Sequence, residues 1–205
     1  MYLSKIHIPW TLAKNSYELH QALWRLFPER DDEQRDFLFR VESLEKGMGT
    51  KVLLQSETKP ELFESSPVVL GSRDYNPLFQ KGQRLRFRLR VNPIKTIKDS
   101  NKGTVEKKGK TYTKTVRVPL LHEEQQQAWL ERKFQDFAQL DTLIIQPEPV
   151  LYFRKIKEKR SGKIQPVLFE GILIVSEPEL FFAQLQKGIG PAKAFGCGLL
   201  SIAKV

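Results

Sequence analysis

The sequence predicts an α+β protein built from antiparallel sheets, and three observations carry that prediction. Segments with the two-residue alternation of strands are interleaved with segments of helical periodicity. One of them, Arg84-Leu85-Arg86-Phe87-Arg88-Leu89-Arg90-Val91, alternates without a break. The order strand, helix, strand, strand, helix, strand is readable in the first half of the chain and again in the second. That order is the ferredoxin-like pattern, so two such domains in tandem are expected.

In the first half, Tyr2 to Ile8 alternates as a strand and is ended by Pro9. Asn15 or Ser16 can cap a helix running to about Phe27, with Glu18 in its first turn and Pro28 just beyond its end. Leu19, Ala22, Leu23 and Leu26 form the stripe this helix should bury, while Tyr17, His20 and Trp24 project from a different side. Asp36 to Val41 and Lys51 to Gln55 read as strands joined through Gly47 to Gly49. Glu61 to Glu64 suits a short helix, and Val68 to Leu70 or Pro77 to Gln80 closes the domain.

The second half opens on the arginine strand, which places Leu85, Phe87, Leu89 and Val91 on one face and four arginines on the other. Asn92-Pro93 breaks it, and Lys98 to Thr115 reads as a lysine-rich hairpin or mobile loop turning near Lys108-Gly109. A helix follows from about His122 to Phe137, with Trp129, Leu130 and Phe134 on its apolar side. Leu151 to Lys157 and Pro166 to Val175 look like strands paired around Ser161-Gly162, Pro178 to Gln186 makes the last helix and Leu199 to Ala203 the last strand. The joint falls near Lys81-Gly82, giving an N-terminal domain over residues 1–82 and a C-terminal domain over 83–205.

Charge is the informative part of the composition. The 205 residues carry a net charge of +10, and 40% are hydrophobic, enough for a folded globule. No apolar run approaches a membrane span, and Met1-Tyr2-Leu3-Ser4-Lys5 does not read as a signal peptide. The single cysteine, Cys197, excludes an intramolecular disulfide and suits a reducing cytoplasm. Between Lys81 and Arg117 there are thirteen basic residues against Asp99 and Glu106, a local net charge of +11. Arg154 to Lys163 holds six more against Glu158. Neither cluster has amphipathic-helix periodicity, so a nucleic acid explains the surplus better than a membrane surface.

The candidate phosphate contacts follow from those clusters. Arg84, Arg86, Arg88 and Arg90 stand at two-residue spacing, which suits a row of phosphates or a merely solvated face. Lys95, Lys98, Lys107, Lys108, Lys110, Lys114 and Arg117 belong to the hairpin region, and Arg160 to the second cluster. Near the C-terminus, Gly188, Gly190, Gly196 and Gly198 surround Pro191 and Lys193. Such a loop can present backbone amides and Lys193 to phosphate oxygens, or be only a tight connection before the last strand. Its spacing fits neither a P-loop nor a dinucleotide fingerprint. Acidic residues are scattered and no Cys/His spacing resembles a zinc site, so no metal and no cofactor are expected.

Five stretches together resemble a known family: Tyr17-Glu18-Leu19-His20-Gln21-Ala22-Leu23-Trp24, the run Phe87 to Lys95, Ser161-Gly162-Lys163-Ile164-Gln165, Phe169-Glu170-Gly171 and the glycine loop. They are similar, in order and spacing, to the CasE family, the CRISPR repeat-RNA endoribonucleases of the type I-E Cascade complex. The resemblance implies tandem ferredoxin-like (RRM-like) domains and metal-free cleavage of precursor CRISPR RNA at the base of each repeat hairpin. It also implies retention of the mature guide RNA and contact with other Cascade subunits. By the same resemblance His20 is catalytic, Tyr17 lies beside it for positioning or proton transfer, and Lys163 lies near the scissile phosphate.

That chemistry needs a proton acceptor, a proton donor and positive charge near phosphorus, and a histidine's ordinary pKa lies near neutrality. His7 and His122 fall outside the motifs and read as structural or surface residues, and Cys197 as packed rather than nucleophilic. Two other readings stay open at this level: a non-catalytic basic RNA-binding subunit of a ribonucleoprotein, and a basic adaptor that docks an acidic protein.

Overall fold

A computed structural model describes residues 1–28, 36–61, 67–107, 109–155 and 160–205. In the first half β1 (Tyr2–Ile8), β2 (Phe37–Glu45), β3 (Gly49–Ser56) and β4 (Val68–Asp74) form one antiparallel sheet, ordered β2-β3-β1-β4. Helix α1 (Ser16–Trp24) follows β1. Asn15 caps it, its side-chain oxygen accepting from the amides of Tyr17 and Glu18. The helix ends earlier than predicted because Arg25, Leu26 and Phe27 donate to carbonyls only three residues back, tightening the last turn. Leu19, Ala22 and Leu23 close over Ile6, Ile8, Phe37 and Leu54, as the leucine stripe requires. The helix predicted at Glu61 to Glu64 lies outside the described residues except for Glu61, and Pro77 to Gln80 is not a strand.

The second half repeats this plan with insertions. β5 (Arg84–Val91) is followed by β6 (Ile94–Lys98), β7 (Thr104–Lys107), β8 (Lys110–Thr113) and β9 (Thr115–Pro119), with β6 pairing β9 and β7 pairing β8. The two ribbons are consecutive parts of one interrupted hairpin, in keeping with the hairpin predicted from Lys98 to Thr115. Then come α2 (Glu123–Phe134), β10 (Ala138–Pro147), β11 (Leu151–Lys155), β12 (Arg160–Ile164), β13 (Val167–Val175), α3 (Pro178–Lys187) and β14 (Leu200–Lys204). The second sheet is ordered β10-β13-β5-β14 and is antiparallel throughout.

One pairing differs from the prediction. β13 pairs with β10, whereas Leu151–Lys155 pairs with Arg160–Ile164 in a separate ribbon. A register shift between Leu140 and Thr142 breaks the alternation of β10, hiding the strand from a period-two reading. The inner face of β5 meets α2, where Phe87 stands edge-on to Phe134 at 5.6 Å, and Phe137 stands edge-on to Phe181 of α3 at 5.8 Å. Each fully buried phenylalanine contributes about 1.5–3 kcal/mol of burial.

The halves are also joined directly. Gln55 on β3 donates to the carbonyl of Leu185 on α3 at 2.8 Å, and Arg40 on β2 donates to the carbonyl of Arg88 on β5 at 3.2 Å. No helix among the described residues is long and apolar enough to cross a membrane.

Candidate active site and nucleic-acid interface

His20 lies on α1, half-buried in a wall of rings. Its centroid is 5.9 Å from that of Phe37, 6.2 Å from Phe39 in a stacked orientation, and 6.2 Å from Trp24 edge-on. β2 supplies both phenylalanines because its inner face alternates against the helix, so the imidazole is oriented by packing. Tyr17 sits one turn earlier on the same helix and is 39% exposed.

Two elements of the second half come up against α1: β11 and the 3-10 turn Lys193–Phe195. Between them runs a groove of about 330 Å³, lined by Asn15, Ser16 and Leu19 of the helix region, Phe39, Leu151, Tyr152 and Phe195. The ribbon β11–β12 carries Lys163, exposed and directly opposite Tyr152. Phe153 anchors the ribbon, its ring 4.5 Å from that of Phe195 and lying where a Cβ on Gly162 would stand. The helix of Tyr17 and His20 and the ribbon of Lys163 both border this groove, although none of these three side chains lines it and Lys163 is 143 positions beyond His20 in the chain.

The arginine ladder has a different character from a row of free cations. Arg84 pairs with Asp141, Arg88 with Glu170 at 2.6 Å and Glu42 at 3.8 Å, and Arg90 with Glu148 at 2.6 Å. Among the described residues only Arg86 of the four has no ion pair, its cross-strand neighbours being Ile172 and Ala203. Arg90 is 7% exposed and also donates to the carbonyls of Phe195 and Gly196. It therefore faces the glycine loop rather than solvent. Arg40, whose guanidinium meets the Arg88 carbonyl, is equally buried, and burial lowers its pKa from the ordinary arginine value despite Glu42.

The glycine loop is shaped by close packing. The amides of Gly188, Ile189, Phe195, Gly196 and Gly198 all donate to carbonyls of the chain. Lys193 turns its amine to the carbonyl of Lys187. Gly188 and Gly196 have φ of +74° and +75°, and an added Cβ would stand 2.6 Å from Leu38 and 3.1 Å from Phe39 respectively. A Cβ on Gly190 would meet Trp129 at 2.9 Å and one on Gly198 the carbonyl of Ile189 at the same distance. The loop holds the two halves together beside His20.

Solvated positive charge lies instead on the ribbons β6–β9 and β7–β8. Lys95, Lys98, Lys102, Lys114 and Arg117 are exposed, with Tyr112 half-exposed among them. Backbone bonds from Asp99 to Lys114 and from Lys114 to Gly103 fix one ribbon on the other. Lys108 lies outside the described residues, as do the side chains of Lys107, Lys110 and Arg160.

Among the described residues no three His, Cys, Asp or Glu side chains come together in a way that could hold a metal ion. Cys197 is fully buried, and burial pushes its thiol up to about 11. His7 donates from Nε2 to the carbonyl of Met48, in the β2–β3 turn, and Trp129 is core. Sequence reasoning missed Phe39, Phe195, Glu148 and Tyr152. Only Tyr152 carried a local signal, as the outward residue between Leu151 and Phe153.

A family model described as CRISPR associated protein matches residues 1–204. The CRISPR system Cascade subunit CasE of Escherichia coli K12 is 44% identical over 203 residues, 99% of each chain. The chain belongs to the CasE family of CRISPR-associated proteins. The CRISPR-associated endoribonuclease Cse3 of Thermus thermophilus is 35% identical over 92% of this chain and 90% of its own. Among solved structures, E. coli Cas6e matches with a TM-score of 0.84 and 42% identity over the whole of both chains. Thermus thermophilus Cse3 bound to an RNA representing a pre-cleavage complex matches with a TM-score of 0.76 and 30% identity over 98% of both. The tandem ferredoxin-like architecture is that of this family, and the groove at α1 lies within the matched span.

Proposed function

We propose that the protein is a metal-independent endoribonuclease that binds the stem-loop of a CRISPR repeat, cleaves precursor CRISPR RNA and keeps the mature guide RNA within Cascade. The observation that carries this reading is the placement of His20 and Tyr17 one turn apart on α1, beside a groove closed by the ribbon that bears Lys163. The family relatives named as an endoribonuclease and as a Cascade subunit support it.

In the reaction the ribose 2′-oxygen attacks the adjacent phosphorus and loses its proton to an acceptor. The bond from phosphorus to the 5′-oxygen breaks, and that oxygen takes up a proton, leaving a 2′,3′-cyclic phosphate and a 5′-OH. His20 performs one of the two proton transfers, held at the required angle by the ring wall. Tyr17 orients the reacting groups, and Lys163 offsets the charge that grows on the phosphate oxygens. The exposed lysines of the two ribbons grip the phosphates of the stem, so recognition rests on shape and charge more than on base edges. The N-terminal domain, residues 1–82, supplies the histidine, and the C-terminal domain, residues 83–205, supplies the basic ribbons. A ribonucleoprotein of this kind acts in the cytoplasm.

The test is incubation of wild-type and His20→Ala protein with a labelled repeat hairpin in excess EDTA, followed by analysis of the product ends. Cleavage by wild type alone, leaving a cyclic phosphate, is the expected result. Equal cleavage by both proteins would remove His20 from the mechanism, and binding without cleavage by either would leave an RNA-binding subunit.

A further inference from the structure

We propose that the groove between α1 and the β11–β12 ribbon is a subsite for one unpaired nucleobase next to the cleaved bond, with Tyr152 as the surface on which that base stacks. The inference rests on the endoribonuclease reading for the position of the bond, and on the following geometry for the base.

Tyr152 is 74% exposed, far more than Tyr17 at 39% or Tyr112 at 50%. Its neighbours explain why the fold does not need the ring. Alternation along β11 turns Phe153 inward, over Gly162 and against Phe195, and that contact already anchors the ribbon. Tyr152 points the other way and buries little, so an aromatic there adds little to stability. What it does have is position. It stands directly opposite Lys163 and borders the groove, whose wall includes Phe39, the ring stacked near His20.

The groove suits a base. Its other walls are largely apolar, from Leu19, Val41, Leu44 and Leu151. Its volume of about 330 Å³ falls in the range of sites for a single small ligand. It therefore admits one splayed nucleotide and not a duplex. Bases that leave a helix are held by stacking on aromatic side chains, which requires a ring exposed on one face beside a phosphate-binding cation. Tyr152 and Lys163 supply that pair: ring for the base, ammonium for its phosphate.

The experiment measures binding to a repeat hairpin with single-stranded flanks, made uncleavable by a 2′-deoxy sugar at the cut, and to versions lacking one base at each position around it. Tyr152→Ala is expected to weaken binding to the intact RNA on the order of tenfold, and Tyr152→Trp to restore it. Removing one particular base beside the cut should weaken wild type by a similar factor and leave Tyr152→Ala no weaker than before. Unchanged binding by Tyr152→Ala, or losses that simply multiply at every abasic position, would overturn the subsite. Because the RNA cannot be cut, the coupling is read independently of the nuclease assignment. It would persist if His20 proved uninvolved, and its absence in a protein that cleaves normally would remove the subsite alone.

Discussion

Arg90 on β5 and Glu148, just beyond β10, form an ion pair of 2.6 Å beneath the glycine loop, and the same guanidinium holds the carbonyl of Phe195 at 3.0 Å. One side chain therefore ties the central strand of the second sheet to the loop that packs against Phe39 and α1. Removing the cation leaves a carboxylate and carbonyls without their donor in a mostly buried place. Arg90→Met should cost about 3 kcal/mol in urea unfolding. Arg84→Ala, whose pair with Asp141 is open to water, should cost under about 1 kcal/mol. Equal losses would mean that Arg90 is not the clasp described.

The glycine loop gives a second prediction, based on paired substitutions. Gly47 and Gly188 share a positive φ, but a Cβ at Gly47 meets nothing within 4 Å, whereas one at Gly188 meets Leu38 and the carbonyl of Gly198. Gly47→Ala should cost only the backbone strain, about 1 kcal/mol. Gly188→Ala should cost more and should also slow RNA cleavage, because the loop must withdraw from β2 and from the ring wall of His20. Cleavage rate and thermal melting of both variants decide it.

The positive ribbons can be separated from the arginine ladder by salt dependence. Lys98→Ala and Lys114→Ala should each weaken hairpin binding at every salt concentration and reduce the slope of log K against log salt by roughly one. Arg88→Ala, whose charge is already compensated by Glu170 and Glu42, should alter that slope by less. Titrations at several salt concentrations would show the ladder to be an RNA surface if the order were reversed.

Cys197 predicts a pH effect of definite sign. Burial raises its thiol from 9.0 to about 11, so the folded protein keeps a proton that the unfolded chain gives up. The associated stability is fully present below pH 9 and is lost as pH rises through 11, on the order of 2 kcal/mol in all. The loss should be smaller in Cys197→Ala. At pH 8 a thiol reagent should label native protein slowly and denatured protein at once.

Local pattern made much of this protein readable from sequence. The alternation of Arg84 to Val91 fixed both faces of β5, the leucine stripe fixed which side of α1 is buried, and the three-residue spacing of Tyr17 and His20 set them on another side. These are near-neighbour properties, decided by the periods of strand and helix. The tertiary structure decided what depends on residues distant in the chain. Asp141, Glu148 and Glu170 compensate the ladder from 57, 58 and 82 positions away. Leu38 and Phe39 reach the glycines across some 150 residues, and β13 takes β10 rather than β11 as its partner. No local period encodes such contacts, because they arise only when strands distant in the chain pair and the two sheets dock. Docking packs the glycine loop against β2 and places Tyr152 at the groove beside the helix of the histidine.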